Sequence, residues 1–414
     1  MTSRERVQAS LNFQQPDKIP VDFGGHKSSG IAAMAYARLK KELGITSGDI
    51  YVYDVIQQLA IVEDPVLDLF GVDTIELGRA YMLEEKDWKD WELPDGTPCK
   101  IPAMINMQRK GDHWYLLNDD GMELGIQKQG CQYFEQLTHP MENRDFEAMD
   151  FRDIIDNFPN SMWCNTPGPG GHVALEGEGL AEMKEGARKL REKTDRLVIG
   201  IFGGNMFEIP QLMFRNDNYL LYTAIYPEAT LELSEILCNH YMAEMEKWLH
   251  AVGPYIDMML FGDDFGSNHG PIIDPEMYRL YYKPFHAKMW KRAKEIAPHI
   301  KIQLHCCGAV EPFLEDMIEA GLDAINPVQI SCRGMELESL KKKYGGRLTL
   351  WGGGCDTQSI LGRGTPGEVE SHVKEQLNIM KGSGGFVFQQ VHNILGNVPA
   401  TNIIRMFETV ARHR

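Results

Sequence analysis

Apolar residues gather in eight short runs along the chain, at 19–23, 72–77, 197–202, 257–261, 301–305, 323–326, 348–352 and 385–391. Each run leads into Gly, Asp, His or Asn, as a buried strand does where it ends in a polar loop. Most of the intervals contain stretches whose apolar positions recur every three or four residues, notably 276–296, 312–320 and 366–380, which predict amphipathic helices. A strand, a polar tip and a helix, repeated eight times, predict an α/β chain folded as a (β/α)8 TIM barrel. A doubly wound sheet shares this alternation, but no G-x-G-x-x-G follows the first run. The chain opens on a helix signal, with Thr2 and Glu5 spaced as a capping box.

One region breaks the rhythm. Residues 84–136 are rich in Trp, Tyr, Gly and Asp, with turn pairs at Asp95-Gly96 and Asp120-Gly121, and predict two or three β-hairpins. Residues 165–179, containing a Pro-Gly-Pro-Gly-Gly run, read as a loop. The expected organisation is therefore one barrel domain over 1–414 with a β-rich insertion at 84–136. There are no short repeats and no low-complexity tail.

Composition narrows the function. The 414 residues carry a net charge of −17, which repels phosphate backbones and excludes nucleic acid and anionic membrane surfaces as expected partners. The apolar runs are far shorter than the ~20 residues that cross a bilayer, and the first residues have no signal-peptide core. A cytoplasmic location is expected. There the eight cysteines would be reduced, so clustered ones point to metal or thiolate chemistry rather than bridges.

The most specific local signal is LHCCG at 304–308. On a strand, His305 and Cys307 lie two apart and share a face, whereas Cys306 points the other way. Cys355, in WGGGCDTQ directly after the seventh run, offers a third ligand, because the ends of strands five and seven share one rim of a barrel. His, Cys and Cys with an open fourth position is a catalytic zinc arrangement. Buried cysteine is common and H-x-C arises by chance, so the pairing of two motifs at equivalent barrel positions carries the expectation. Cys99, Cys131, Cys164 and Cys238 are expected to be structural, with Cys332 a reserve ligand. Other strand ends carry Asp22, Asn205, Glu208, Asp263, Asp264, His392 and Asn393. Such residues commonly cap helices, but their shared placement makes them candidates for the site. Of the adjacent pair, Asp264 rather than Asp263 is expected to face the mouth. His392, with an ordinary pKa of about 6.5, is the expected proton donor, with Asp264 and Glu208 as further catalytic candidates. Trp88, Trp91, Trp114 and Tyr115 of the insertion are expected either to cover the mouth or to pack on the barrel's flank.

Several segments together resemble the uroporphyrinogen decarboxylase superfamily: RERVQASLNFQQPDKIPVDF, FGVDTIEL, LFGDDFGSNHGPIIDPEMYRLYYKP, HCCGAVEPFLEDMIEAGLDAINPVQ, WGGGCDTQ, GTPGEV and VHNILGNVP. The resemblance runs from about residue 3 to 412 and implies one (β/α)8 barrel. The decarboxylases carry an R-Q-A-G-R type segment after the first strand that holds substrate propionates. Here that place reads DFGGHKSSG, with Lys27 as its cation, and an octacarboxylate lacks its clamp. The better match is the branch of zinc-dependent corrinoid methyltransferases, whose H-x-C and distant Cys correspond to His305, Cys307 and Cys355. Enzymes of that branch acting on coenzyme M also use a Glu after the sixth strand, where this chain has Gln329. The neutral amide shifts the expectation away from thiol methylation and toward O-demethylation. The resemblance thus implies zinc, a corrinoid carried by a partner protein, and a small methylated substrate, most readily a methoxylated aromatic, bound with the help of Asp22, Asn205, Asn393 and Gln329. Methyl transfer to a thiol, decarboxylation, and a non-catalytic tetrapyrrole-binding protein are the alternatives, and a homodimer is left open.

Overall fold

The computed structural model describes residues 1–164, 175–382 and 384–414. Seven of the eight runs form one parallel sheet, in the spatial order Phe386–Val387, Thr349–Trp351, Ala324–Asn326, Lys301–His305, Met258–Gly262, Leu197–Gly203 and Thr74–Glu76. The eighth run closes it. Val21 makes a parallel bridge to Phe388, and on its other side its carbonyl accepts from the Asp73 N–H at 2.8 Å. The sheet thereby curls into the barrel that the pattern predicts, with the short strands and intervening helices of a TIM fold.

Alternation along the strands separates two cores. Leu197, Ile199, Met258, Leu260, Ala324, Trp351 and Val387 form a buried cluster to which the helix Ser3–Leu11 adds Val7 and Leu11. That helix starts on the capping box of Thr2 and Glu5 and closes the amino-terminal end of the barrel, so the opposite rim is left for chemistry. Its Arg6 donates to Asp73 Oδ1 at 2.6 Å, and Asp73 Oδ2 accepts from the Val21 N–H at 2.9 Å. Asp73 and Arg6 are both buried. Arg6 also holds Asp17 at 2.7 Å, but loss of Asp73 leaves its Nη1, the Val21 N–H and Arg414 without their buried acceptor. Asp73→Ala is therefore expected to cost about 1–3 kcal/mol, read from a shifted midpoint in urea unfolding with circular dichroism.

The predicted helix over 366–380 is present with its own cap at Thr365. The stretch 276–296 instead forms two helices, Pro275–Tyr281 and Lys283–Ile296, because Pro284 cannot continue the first helix's hydrogen bonds. The stretch 312–320 begins as a short 3-10 turn before the helix Leu314–Ala320. Within 84–136, Trp88–Glu92 pairs with Pro98–Pro102 around Asp95-Gly96. Four further antiparallel strands, Asn106–Lys110, His113–Leu117, Glu123–Gln127 and Glu135–Gln136, follow one another in order. Of the loop expected at 165–179, residues 165–174 lie outside the described residues, and Gly177–Lys193 is helical. Among the described residues no helix is long and apolar enough to cross a membrane.

Candidate metal centre

His305 ends its strand on the inward face, and Cys307 follows two residues later on the same side. Their donor atoms, His305 Nε2 and Cys307 Sγ, are 3.4 Å apart. The third member of the group is His392, from the segment after the last strand. One ligand atom each from His305, Cys307 and His392 lies within 4.8 Å of the other two, and the two imidazole rings meet at 5.5 Å and 65°. Two imidazole nitrogens and one thiol are a donor set compatible with zinc, with a tetrahedral position to spare.

Both imidazoles are held in the tautomer that frees Nε2. His305 Nδ1 lies 2.9 Å from Asn326 Oδ1. The Asn326 amide nitrogen donates to the Trp351 carbonyl at 3.0 Å and to Gln389 Oε1 at 2.8 Å, so its oxygen accepts and His305 carries its proton on Nδ1. His392 Nδ1 lies 2.9 Å from Asn393 Oδ1. Asn393 in turn donates to Gln57 Oε1 at 2.9 Å, and Gln57 donates to Asp54 Oδ2 at 3.3 Å. A carboxylate that only accepts orients this whole chain, leaving the His392 Nε2 lone pair free. Burial, and after it the neighbouring His305, push His392 down to about 4, so it is neutral and able to ligate at pH 7. Burial and then the Asp264 carboxylate hold the Cys307 thiol well above its usual range, so metal binding must displace its proton. Second partners of this kind are worth 10- to 100-fold in metal affinity. Asn326→Ala is expected to weaken zinc binding by about that factor, measured by competition with a chelator.

Cys355 is not drawn into this group. The chain turns at Gly352 and Gly353, both at positive φ, and a Cβ on Gly352 would collide with the Pro327 carbonyl oxygen. Beyond the turn Cys355 pairs with Gln390 through a backbone bridge. Its buried thiol faces the Asp356 carbonyl at 3.9 Å, and burial raises its pKa. Cys332 donates to Asn268 Oδ1 at 3.4 Å, and Gln329 Oε1 accepts from the Gly308 N–H at 2.9 Å.

The remaining candidates divide sharply. Asp263 is fully buried and accepts from the N–H groups of Met206, Phe207 and Glu208 at 2.8–3.0 Å, so it caps the helix Glu208–Phe214. Asp264 accepts from the Cys307 N–H at 2.6 Å and lies 3.8 Å from His305 Nε2. Glu208 Oε2 accepts from Asn205 at 2.6 Å. Burial, followed by Asp264 and Asp263, raises Glu208 well above the usual carboxylate range. Asp22 departs from its expected substrate-binding role. It is completely buried and is surrounded by Gly25 N–H, Ser29 Oγ, Thr74 Oγ1, Trp351 Nε1 and His26 Nε2 at 2.6–3.1 Å. Five neighbours occupy its oxygens, leaving no face for a ligand.

Two cavities meet at this group. The inner one, of about 640 Å³, is lined by His305, His392, Asp264, Glu208 and Asn205, together with Lys27, Asp54 and Glu76. Its apolar wall includes Trp88, Trp163, Phe158, Phe202 and Phe261. The outer one, of about 780 Å³, is lined by Cys307, His392, Gln329 and Asn393, with Asn268, Gln358, Ser359 and Arg363. Of the insertion's aromatics, Trp88 lines the inner cavity. Trp91 and Trp114 stack edge to face at 5.8 Å and pack on the core, and Lys110 sits over the Tyr115 ring. All eight cysteines are free thiols, and Cys164, expected to be structural, lines the inner cavity. Glu76, which the sequence reading passed over, shares a strand face with the buried Thr74 and also opens onto the inner cavity.

Residues 176–413 match the family described as uroporphyrinogen decarboxylase (URO-D). Among solved structures, a methyltransferase from Methanosarcina mazei superposes over 100% of this chain and 99% of its own, with a TM-score of 0.58 at 15% identity. Xylanase B from Clostridium stercorarium F9 covers 56% of this chain and 83% of its own, with a TM-score of 0.34 at 11% identity. No curated protein matches the chain.

Proposed function

The chain belongs to the uroporphyrinogen decarboxylase family, and on that premise we propose that it is a zinc-dependent methyltransferase. It moves a methyl group from a small methoxylated aromatic to the Co(I) corrinoid of a partner protein. The observation that carries this reading is the convergence of two oriented imidazoles and a thiol on the wall between two cavities. One cavity suits a small donor, and the other a large cofactor face presented from outside. The 15%-identical neighbour is a methyltransferase by its own description, in keeping with this choice within the family. Decarboxylation of a polycarboxylate is disfavoured by the inner cavity's cations. Lys27 is paired with Asp54 at 3.0 Å, and Arg79 donates to the Val62 carbonyl and to Asp64, so neither is free to hold a propionate.

The metal, when bound by His305, Cys307 and His392, supplies Lewis acidity toward the departing oxygen. His392 then serves as a ligand rather than as the proton donor. Glu208 takes that part: burial and the neighbouring Asp264 raise its pKa well above the usual carboxylate range, which favours its protonated form, and it lines the same cavity as His305. A corrinoid presented at the outer cavity would accept the methyl group as the nucleophile, the oxygen–methyl electron pair would stay on oxygen, and the Glu208 proton would neutralise that oxygen. Asn205 holds the Glu208 carboxyl, and Asp264 fixes the Cys307 backbone. The aromatic wall excludes water and positions the ring. The test is to mix the zinc-loaded protein with Co(I) cobalamin and a methoxyarene and follow the methyl–cobalt absorbance. Product should form with zinc, vanish on chelation and return when zinc is restored. Equal turnover in the chelated protein would refute the reading.

A further inference from the structure

The inner cavity holds a second polar cluster, away from the metal group. Glu76 sits at the end of Thr74–Glu76, three strands around the barrel from Lys301–His305. Among the described residues its carboxylate accepts no hydrogen bond, although it lines the cavity beside Lys27, Asp54 and Tyr53. A carboxylate half removed from water without a donor is costly, and burial, outweighing Lys27 and His26, raises its pKa to about 7. The cavity carries Asp54, Glu76, Glu208 and Asp264 against Lys27 and Arg79, and both cations already have partners. Among the described residues the cavity therefore offers an anionic ligand no free cation to pair with.

We propose that Glu76 is the specificity-determining residue of the donor pocket, accepting a hydrogen bond from a hydroxyl on the ring remote from the methoxy group, so that the pocket takes neutral methoxyphenols and rejects methoxybenzoates. The proposal rests on the methyltransferase reading for the methoxy end. The three-strand separation of Glu76 from His305 places hydroxyl and methoxy at opposite ends of the ring. The aromatic wall, with Trp88, Phe158 and Trp163, covers the faces between. Above pH 7, where Glu76 is ionised and the titration is run, a hydroxyl donating to it makes a bond about twice as strong as a neutral pair.

The experiment is calorimetric titration of the zinc-loaded protein with 4-methoxyphenol, methoxybenzene and 4-methoxybenzoate, repeated on Glu76→Gln. The wild type is expected to bind 4-methoxyphenol about tenfold or more tighter than either comparator, about 1.4 kcal/mol. Glu76→Gln should bring 4-methoxyphenol down toward methoxybenzene while methoxybenzene itself is unchanged. The proposal is overturned if 4-methoxybenzoate binds as well as the phenol, if 4-methoxyphenol does not bind, or if Glu76→Gln weakens both neutral ligands alike. The two readings fail separately. Selective binding of 4-methoxyphenol without methyl–cobalt product would sink the methyltransferase reading alone. Product formed equally well from the benzoate would sink the Glu76 assignment alone.

Discussion

Cys307→Ala and His305→Ala will each leave the protein without stoichiometric zinc and without methyl transfer, whereas Cys355→Ala will keep both. The first two remove ligand atoms 3.4 Å apart at the centre of the group. Loss of one of three protein ligands takes away several kcal/mol of binding energy, so occupancy at micromolar zinc should collapse. His392→Ala should behave like them, because His392 offers the third ligand atom of the group. Cys355 is fully buried and faces a backbone carbonyl. Its loss leaves a small cavity, expected to lower stability by about 1–2 kcal/mol without emptying the site. Elemental analysis beside thermal unfolding separates the two kinds of effect.

Glu208→Gln is expected to lower the chemical step by roughly 10²–10⁴-fold while zinc content stays at one per chain. The carboxyl is pinned by Asn205 at 2.6 Å, and Gln preserves its shape and much of that contact. The loss should shrink for donors whose leaving oxygen is a weak base, since these need no proton. The pH dependence has a definite sign. A proton donor whose pKa is raised is fully protonated below that value, so transfer should hold at its maximum there and fall as pH rises through it. In Glu208→Gln that alkaline fall should disappear. A profile unchanged by the substitution would place the acid elsewhere, with Asp264 the next candidate.

The barrel was legible because each strand is a short apolar run ending in a polar residue, and because the helices announce themselves by period and cap, as Thr365 does. The break at Pro284 was legible too, but period alone overrode it. The pair His305 and Cys307 followed from two-residue alternation, a local rule. The third member of the proposed metal group could not follow from any local rule. Cys355 and His392 both stand just beyond neighbouring strands, and what separates them is a turn at Gly352 and Gly353 together with a chain of amides ending at Asp54. The surroundings of Asp22 were hidden for the same reason. A carboxylate at a strand end looks available until donors from as far away as Trp351 are seen to occupy it. Glu76 lay inside a recognised strand, and its period-two partnership with Thr74 was the signal that could have singled it out.

X-ray absorption at the zinc edge of the loaded wild-type protein bears most directly on the central claim, that His305, Cys307 and His392 form the metal centre. The first shell should contain one sulfur and two imidazole nitrogens, and the sulfur should disappear in Cys307→Ala but not in Cys355→Ala. A shell with two sulfurs that drops to one in Cys355→Ala would contradict the account.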